Sequence, residues 1–77
     1  MSIVTTDPSF AVGDWEGREL PILLDGVEVG RILRMAGWHE IKFASGLFAP
    51  GGKLLIKALA NFARIYREDP AARVAGG

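Results

Sequence analysis

The sequence predicts an α+β domain, an antiparallel meander of three to four strands packed against one C-terminal amphipathic helix. Three observations predict it. Asp25-Gly26 stands between two apolar runs, the strongest short hairpin signal, because both central residues of such a turn need φ > 0. Trp38-His39-Glu40-Ile41-Lys42-Phe43 alternates with the period of a half-buried strand. Residues 53–67 then switch to a period of about 3.6, the mark of an amphipathic helix.

The elements follow in order. Residues up to Pro8 read as a loose arm, with Asp7-Pro8 favouring a turn or Pro8 opening a helix. Phe10-Ala11-Val12 makes a short strand or one helical turn, and Gly13 ends either. Trp15-Glu16-Gly17-Arg18 is a Gly turn feeding the next strand. Leu20-Pro21-Ile22-Leu23-Leu24 follows, and Pro21, lacking an N–H, places this strand at a sheet edge or turns that position to solvent. Beyond Asp25-Gly26, Val27 and Val29 alternate with Glu28, but the phase changes by Ile32. Gly30 is the natural place for a bulge that absorbs the slip. Met35-Ala36-Gly37 turns the chain into residues 38–43, whose inward set is His39, Ile41 and Phe43.

Residues 45–52, rich in Gly and carrying Pro50, read as a loop. In the helix of residues 53–67, Leu54, Leu55, Ala58, Leu59, Phe62, Ile65 and Tyr66 share one side. Lys53, Lys57, Arg64 and Arg67 form a cationic stripe opposite. Pro70 stops the helix. The domain is therefore expected over residues 1–69, with residues 70–77 as a flexible tail.

Seventy-seven residues hold one small domain with a thin stability margin. The absence of cysteine removes disulfides, thiolate nucleophiles and cysteine metal sites, and suits a reducing cytoplasm. No signal peptide is visible, and no apolar run nears the ~20 residues of a membrane span. The net charge of zero conceals a polar chain: residues 1–28 carry −5 and residues 29–77 carry +5. Charge distribution, more than total charge, selects partners.

Two surfaces are candidates for binding. The acidic set Asp14, Glu16, Glu19, Asp25 and Glu28 clusters around the predicted turns and could meet a basic groove on another protein. The stripe Lys53, Lys57, Arg64 and Arg67 could meet phosphates. Solvated turns and solvated helix faces are the plain alternatives for each. The segment Gly46 to Gly52, followed by Lys53, superficially follows the strand–loop–helix arrangement of phosphate loops. It has five residues between its glycines where four are needed, and Leu54 stands where a hydroxyl should bind Mg²⁺. His39, the only imidazole, is expected to be a partly buried, hydrogen-bonded residue, since Glu40 lies on the other strand face. Ser2, Ser9 and Ser45 lack the setting of a nucleophile. No enzymatic activity, metal or cofactor is therefore expected.

The terminal Gly76-Gly77 resembles the tails of ubiquitin-like proteins and sulfur carriers, but their β-grasp fold has its helix between the second and third strands. Here the helix follows all predicted strands. In its size, lack of cysteine, lack of a catalytic motif and polarised charge, the chain resembles the small stand-alone inhibitors encoded by phages and mobile elements, anti-CRISPR proteins among them. The resemblance implies a cytoplasmic protein that docks on a nucleic-acid-handling effector complex and blocks its substrate or recruitment step. Nucleic-acid binding through the basic helix is the alternative. Trp15, Trp38, Leu47 and Phe48 are either core or interface, so both a monomer and a homodimer are open.

Overall fold

The protein, described here over residues 9–73 of a computed structural model, is an α+β domain. The strands are β1 (Phe10–Val12), β2 (Glu19–Leu24), β3 (Val27–Met35), β4 (Trp38–Phe43) and β5 (Phe48–Gly52); the helices are α1 (Leu55–Glu68) and α2 (Pro70–Arg73). The strands form one open antiparallel sheet in the order β1-β2-β3-β4-β5. Helix α1 packs on one of its faces. The sheet thus has one strand more than the upper expectation.

The central hairpin forms as its turn residues require, with Asp25 at φ 53° and Gly26 at φ 84°. Between β2 and β3 the register slips: Ile22 faces Gly30, but Leu23 faces Glu28, so Val29 is the extra residue. The phase change beside Gly30 is this bulge. Gly30 also lies beneath α1, where a Cβ would fall 2.6 Å from Phe62 Cε2 and 2.7 Å from the Lys42 carbonyl oxygen. The bare backbone therefore admits the Phe62 ring.

Pro21 neither makes β2 an edge strand nor faces solvent: β1 pairs beside it, and Pro21 is buried. That pairing stops at Val12↔Ile22, and the Gly13 N–H then donates to the Pro21 carbonyl at 2.9 Å. In antiparallel geometry the return donor would be the Pro21 N–H, so proline costs the ladder a bond only where β1 has already ended.

The fifth strand replaces most of the loop expected at residues 45–52. Its reversal is tight: the Phe43 N–H donates to the Leu47 carbonyl at 2.8 Å and the Gly46 N–H to the Phe43 carbonyl at 2.9 Å. Counting the alternate bonded pairs from Phe43 and Leu47, Pro50 opposite Glu40 falls in a non-bonded pair. Its nitrogen faces the open edge, where a missing donor blunts pairing with another strand. At Gly51 a Cβ would meet Ala58 Cβ at 3.0 Å and the His39 carbonyl at 3.1 Å. Gly51, read from the sequence as part of a loop, instead lets α1 lie against β5.

The core is the helix-facing side of the sheet (Phe10, Leu20, Ile22, Ile32, Ile41, Phe43) against Ala58, Leu59, Phe62 and Ala63 of α1. Phe62 is its aromatic centre, with ring centroids 4.5 Å from Phe43, 6.0 Å from Phe10 and 6.4 Å from Tyr66. His39, Ile41 and Phe43 face inward as expected. Leu47 is half-buried against the core, whereas Trp15, Trp38 and Phe48 remain exposed.

Helix α1 starts at Leu55, which leaves Lys53 and Leu54 outside it. Leu54 occupies the N-cap, makes no side-chain cap hydrogen bond, and no acid lies in the first turn. Leu54 therefore also leaves the apolar face assigned to it and is exposed. An aspartate there would accept a backbone N–H and suit the helix dipole, so Leu54→Asp is expected to stabilise the domain by about 1 kcal/mol in chemical denaturation. At the other end, the Arg73 guanidinium donates to the carbonyls of Tyr66 (2.8 Å) and Arg67 (2.7 Å). Those are last-turn carbonyls with no partner in the helix. Residues 70–73, expected to begin a flexible tail, thus form α2 and bury Ala72. The arm expected at residues 1–8 and the tail at 74–77 lie outside the described residues. Among those described, no helix is long and apolar enough to cross a membrane.

Candidate functional site

Strand alternation assigns each residue to a face. Phe10, Ile22, Ile32, Ile41 and Phe43 face α1. Their neighbours Glu19, Pro21, Leu23, Glu28, Arg31, Leu33, Glu40, Lys42, Phe48 and Pro50 share the opposite face through the registers Glu19↔Leu33, Pro21↔Arg31, Leu23↔Glu28, Leu33↔Glu40, Arg31↔Lys42, Lys42↔Phe48 and Glu40↔Pro50. Neither described helix is placed on that face, although Pro21 within it is buried.

Arg31 organises it. Its Nη1 donates to Glu16 Oε1 at 2.8 Å and Glu19 Oε1 at 3.1 Å, while its Nε and Nη2 donate to the two Glu28 oxygens at 2.9 and 3.2 Å. One guanidinium thus holds three carboxylates at fixed positions and leaves the group net negative. Its planar fork of donors suits this sharing, which a lysine could not reproduce. Of the five predicted acids, the structure brings together Glu16, Glu19 and Glu28. Asp14 and Asp25 are exposed on the flanking turns and join no ion pair among the described residues.

Hydrogen bonding to Arg31 holds the Glu28 carboxyl below its ordinary 4.5, against a smaller opposing effect of desolvation. The same carboxylates push the Arg31 guanidinium upward, Glu28 first. A depressed carboxyl adds stability above its unfolded value, and that stability is lost as pH falls through the folded one. The window therefore lies in acid, below 4.5, and the effect is small because the pair is solvent-exposed. A carbon-detected NMR titration should place the Glu28 midpoint below 4.5, and Arg31→Gln should raise it.

Of the four cations assigned to one helix stripe, three lie on α1 and one does not. Lys53 precedes α1, and Lys57 and Arg64 stand on its exposed side. Arg64 pairs with Glu68 at 3.6 Å, and the Arg67 guanidinium lies 5.3 Å from the Phe10 ring centroid. His39 is buried with its Nδ1 3.0 Å from the Gly52 carbonyl, a bond that requires the proton on Nδ1. Its ring is thus committed to joining β4 to the β5–α1 junction. Among the described residues no cluster of three or more His, Cys, Asp or Glu side chains is arranged to hold a metal.

Sequence reasoning missed Arg31 because it was counted only with the basic half. The signal was available in the hairpin: Arg31 lies three residues from Glu28 and diagonally across the strand pair from Glu19. Beside it, Glu19, Glu28, Arg31 and Lys42 line a depression of about 180 Å³, which is small against the ~300–1,000 Å³ of typical small-molecule sites. The surface is broad and shallow, with Lys42 Nζ 5.8 Å from the Phe48 ring centroid and Phe48 itself half exposed.

No family model, no curated protein and no solved structure matches this chain.

Proposed function

We propose that this protein is a non-enzymatic protein-binding domain that docks through the uncovered face of its sheet. In this reading it is an inhibitor of the small, stand-alone kind carried by phages and mobile elements, anti-CRISPR proteins included. It acts in the cytoplasm on a nucleic-acid-handling effector complex, without a cofactor, and occupies a basic surface that would otherwise take substrate. The observation that carries the proposal is the trio Glu16, Glu19 and Glu28, held on Arg31 on a face that also exposes Phe48. Carboxylates already ordered lose little side-chain entropy on docking, and an aromatic with an arginine is a common interface core. Edge pairing is disfavoured, since Pro50 removes a donor from one edge and β1 at the other has three residues.

The competing use, nucleic-acid binding by the helix, is weakened by the pairing of Arg64 with Glu68 and by the position of Lys53 before α1. Affinity capture from host lysate, with and without nuclease, separates the two. The proposal expects a protein complex that survives nuclease treatment. Partners lost with the nucleic acid would move the function to the cationic helix.

A further inference from the structure

One carboxylate on the sheet face opposite α1 stands apart from the Arg31 network. Glu40 is in direct register with Leu33 on β3 and Pro50 on β5. Trp38 and Lys42 are its same-face neighbours along β4. Met35 faces Trp38 and Phe48 faces Lys42, so both lie diagonally across from it. Glu40 is half-buried among these side chains and joins no hydrogen bond or ion pair among the described residues. Lys42 does not neutralise it, and its ammonium lies instead 5.8 Å from the Phe48 ring centroid.

The register thus rings one carboxylate with apolar side chains of a single face. Met35, Trp38 and Phe48 in that ring are 38%, 40% and 51% exposed. In the free protein, water solvates the carboxylate. A partner laid over the ring removes that water, and a carboxylate covered without a donor is costly. Any protein that docks on this face must therefore bring a donor to Glu40. A charged group within an apolar rim that excludes water is also the arrangement of an interface hot spot.

We propose that Glu40 is the seat of one arginine side chain from a basic segment of the partner protein, with Trp38 and Phe48 flanking the guanidinium. This deepens the docking reading and rests on it. Arginine suits the seat better than lysine, because its planar fork matches both carboxylate oxygens and its faces stack on aromatic rings. Charge selects the occupant. The strand residues of this face, with Glu16 bound to Arg31, set four carboxylates (Glu16, Glu19, Glu28, Glu40) against two cations (Arg31, Lys42). A second copy in a two-fold contact would bring this negative excess against itself, and the phosphates of a nucleic acid would meet it too.

The probe is the peptide acetyl-Leu-Arg-Leu-amide, titrated into the full chain while the Glu40 carboxyl carbon and the Trp38 indole N–H are followed by NMR. The expected result is saturable movement of both signals, at least about threefold weaker with lysine in place of arginine and absent with glutamine. Glu40→Gln should abolish the Trp38 movement and leave the amide pattern of β1–β5 in place. Glu16→Gln/Glu19→Gln/Glu28→Gln should leave the peptide affinity within about twofold. On the captured, nuclease-resistant partner, Glu40→Gln should weaken binding at least about tenfold. The proposal is overturned by no movement with the arginine peptide, by equal affinity for the lysine or glutamine peptide, by unchanged partner affinity in Glu40→Gln, or by shifts of Trp38 with protein concentration alone, which would give the face to a second copy. The docking reading fails separately: a peptide that seats on Glu40 while no nuclease-resistant partner is captured sinks that reading and keeps the arginine seat.

Discussion

Gly30→Ala is expected to be among the most damaging single-methyl changes in this domain. The added Cβ would lie 2.6 and 2.7 Å from Phe62 Cε2 and Cζ, and 2.7 Å from the Lys42 carbonyl oxygen. The carbonyl belongs to the neighbouring strand and cannot move without opening the β3–β4 ladder. Phe62 is fully buried between Phe10, Phe43 and Tyr66, so its ring has no empty rotamer to enter. Overpacking of this kind costs about 1–3 kcal/mol and more where backbone must shift, and both neighbours here resist. For a domain of this size about 3 kcal/mol lowers Tm by roughly 12–24 °C, which a thermal melt followed by circular dichroism will detect. Gly30→Ala combined with Phe62→Leu should recover part of the loss, because the smaller side chain vacates the contested volume. Strict additivity of the two changes would show that the clash is not the cause.

Phe62→Ala is the second large effect, and it acts in the opposite sense, by removing volume. The ring touches both sheet aromatics and Tyr66, and covers the bare backbone at Gly30. Deleting a buried phenylalanine costs about 3–5 kcal/mol, a large share of the whole stability of so small a domain. The variant is expected to be partly unfolded near room temperature, with a urea midpoint shifted close to zero. A loss below about 1 kcal/mol would mean that α1 is not packed as described.

These two residues also show what was legible in the sequence. The helix face containing Ala58, Leu59 and Phe62 followed from the 3.6 period, and the Asp25-Gly26 hairpin from its dipeptide. Both signals are local, and local periodicity reports them directly. The fifth strand was hidden because Pro50, Gly51 and Gly52 are breakers in isolation. Their reasons are tertiary: Pro50 sits at an outer edge, and Gly51 touches Ala58 and His39. The start of α1 was off by two residues because Lys53 and Leu54 continue its pattern, while no capping residue marks the true boundary. The acidic set was legible as a composition bias, but not as a network. Glu16, Glu19 and Glu28 meet only because the hairpin register delivers Arg31 among them, and a count of charges by chain half hides that.

The same geometry gives the proposed function its exposed point. A protein-docking role makes the carboxylates on Arg31 essential and the cations of α1 dispensable. The direct measurement is calorimetric titration of the captured, nuclease-resistant partner with two variants of matched folding: Glu16→Gln/Glu19→Gln/Glu28→Gln and Lys57→Gln/Arg64→Gln. The account predicts at least about tenfold weaker binding for the first, some 1.4 kcal/mol, and affinity within about twofold of the parent for the second. Unchanged affinity in the glutamine triple variant, or a loss confined to the helix variant, would contradict it.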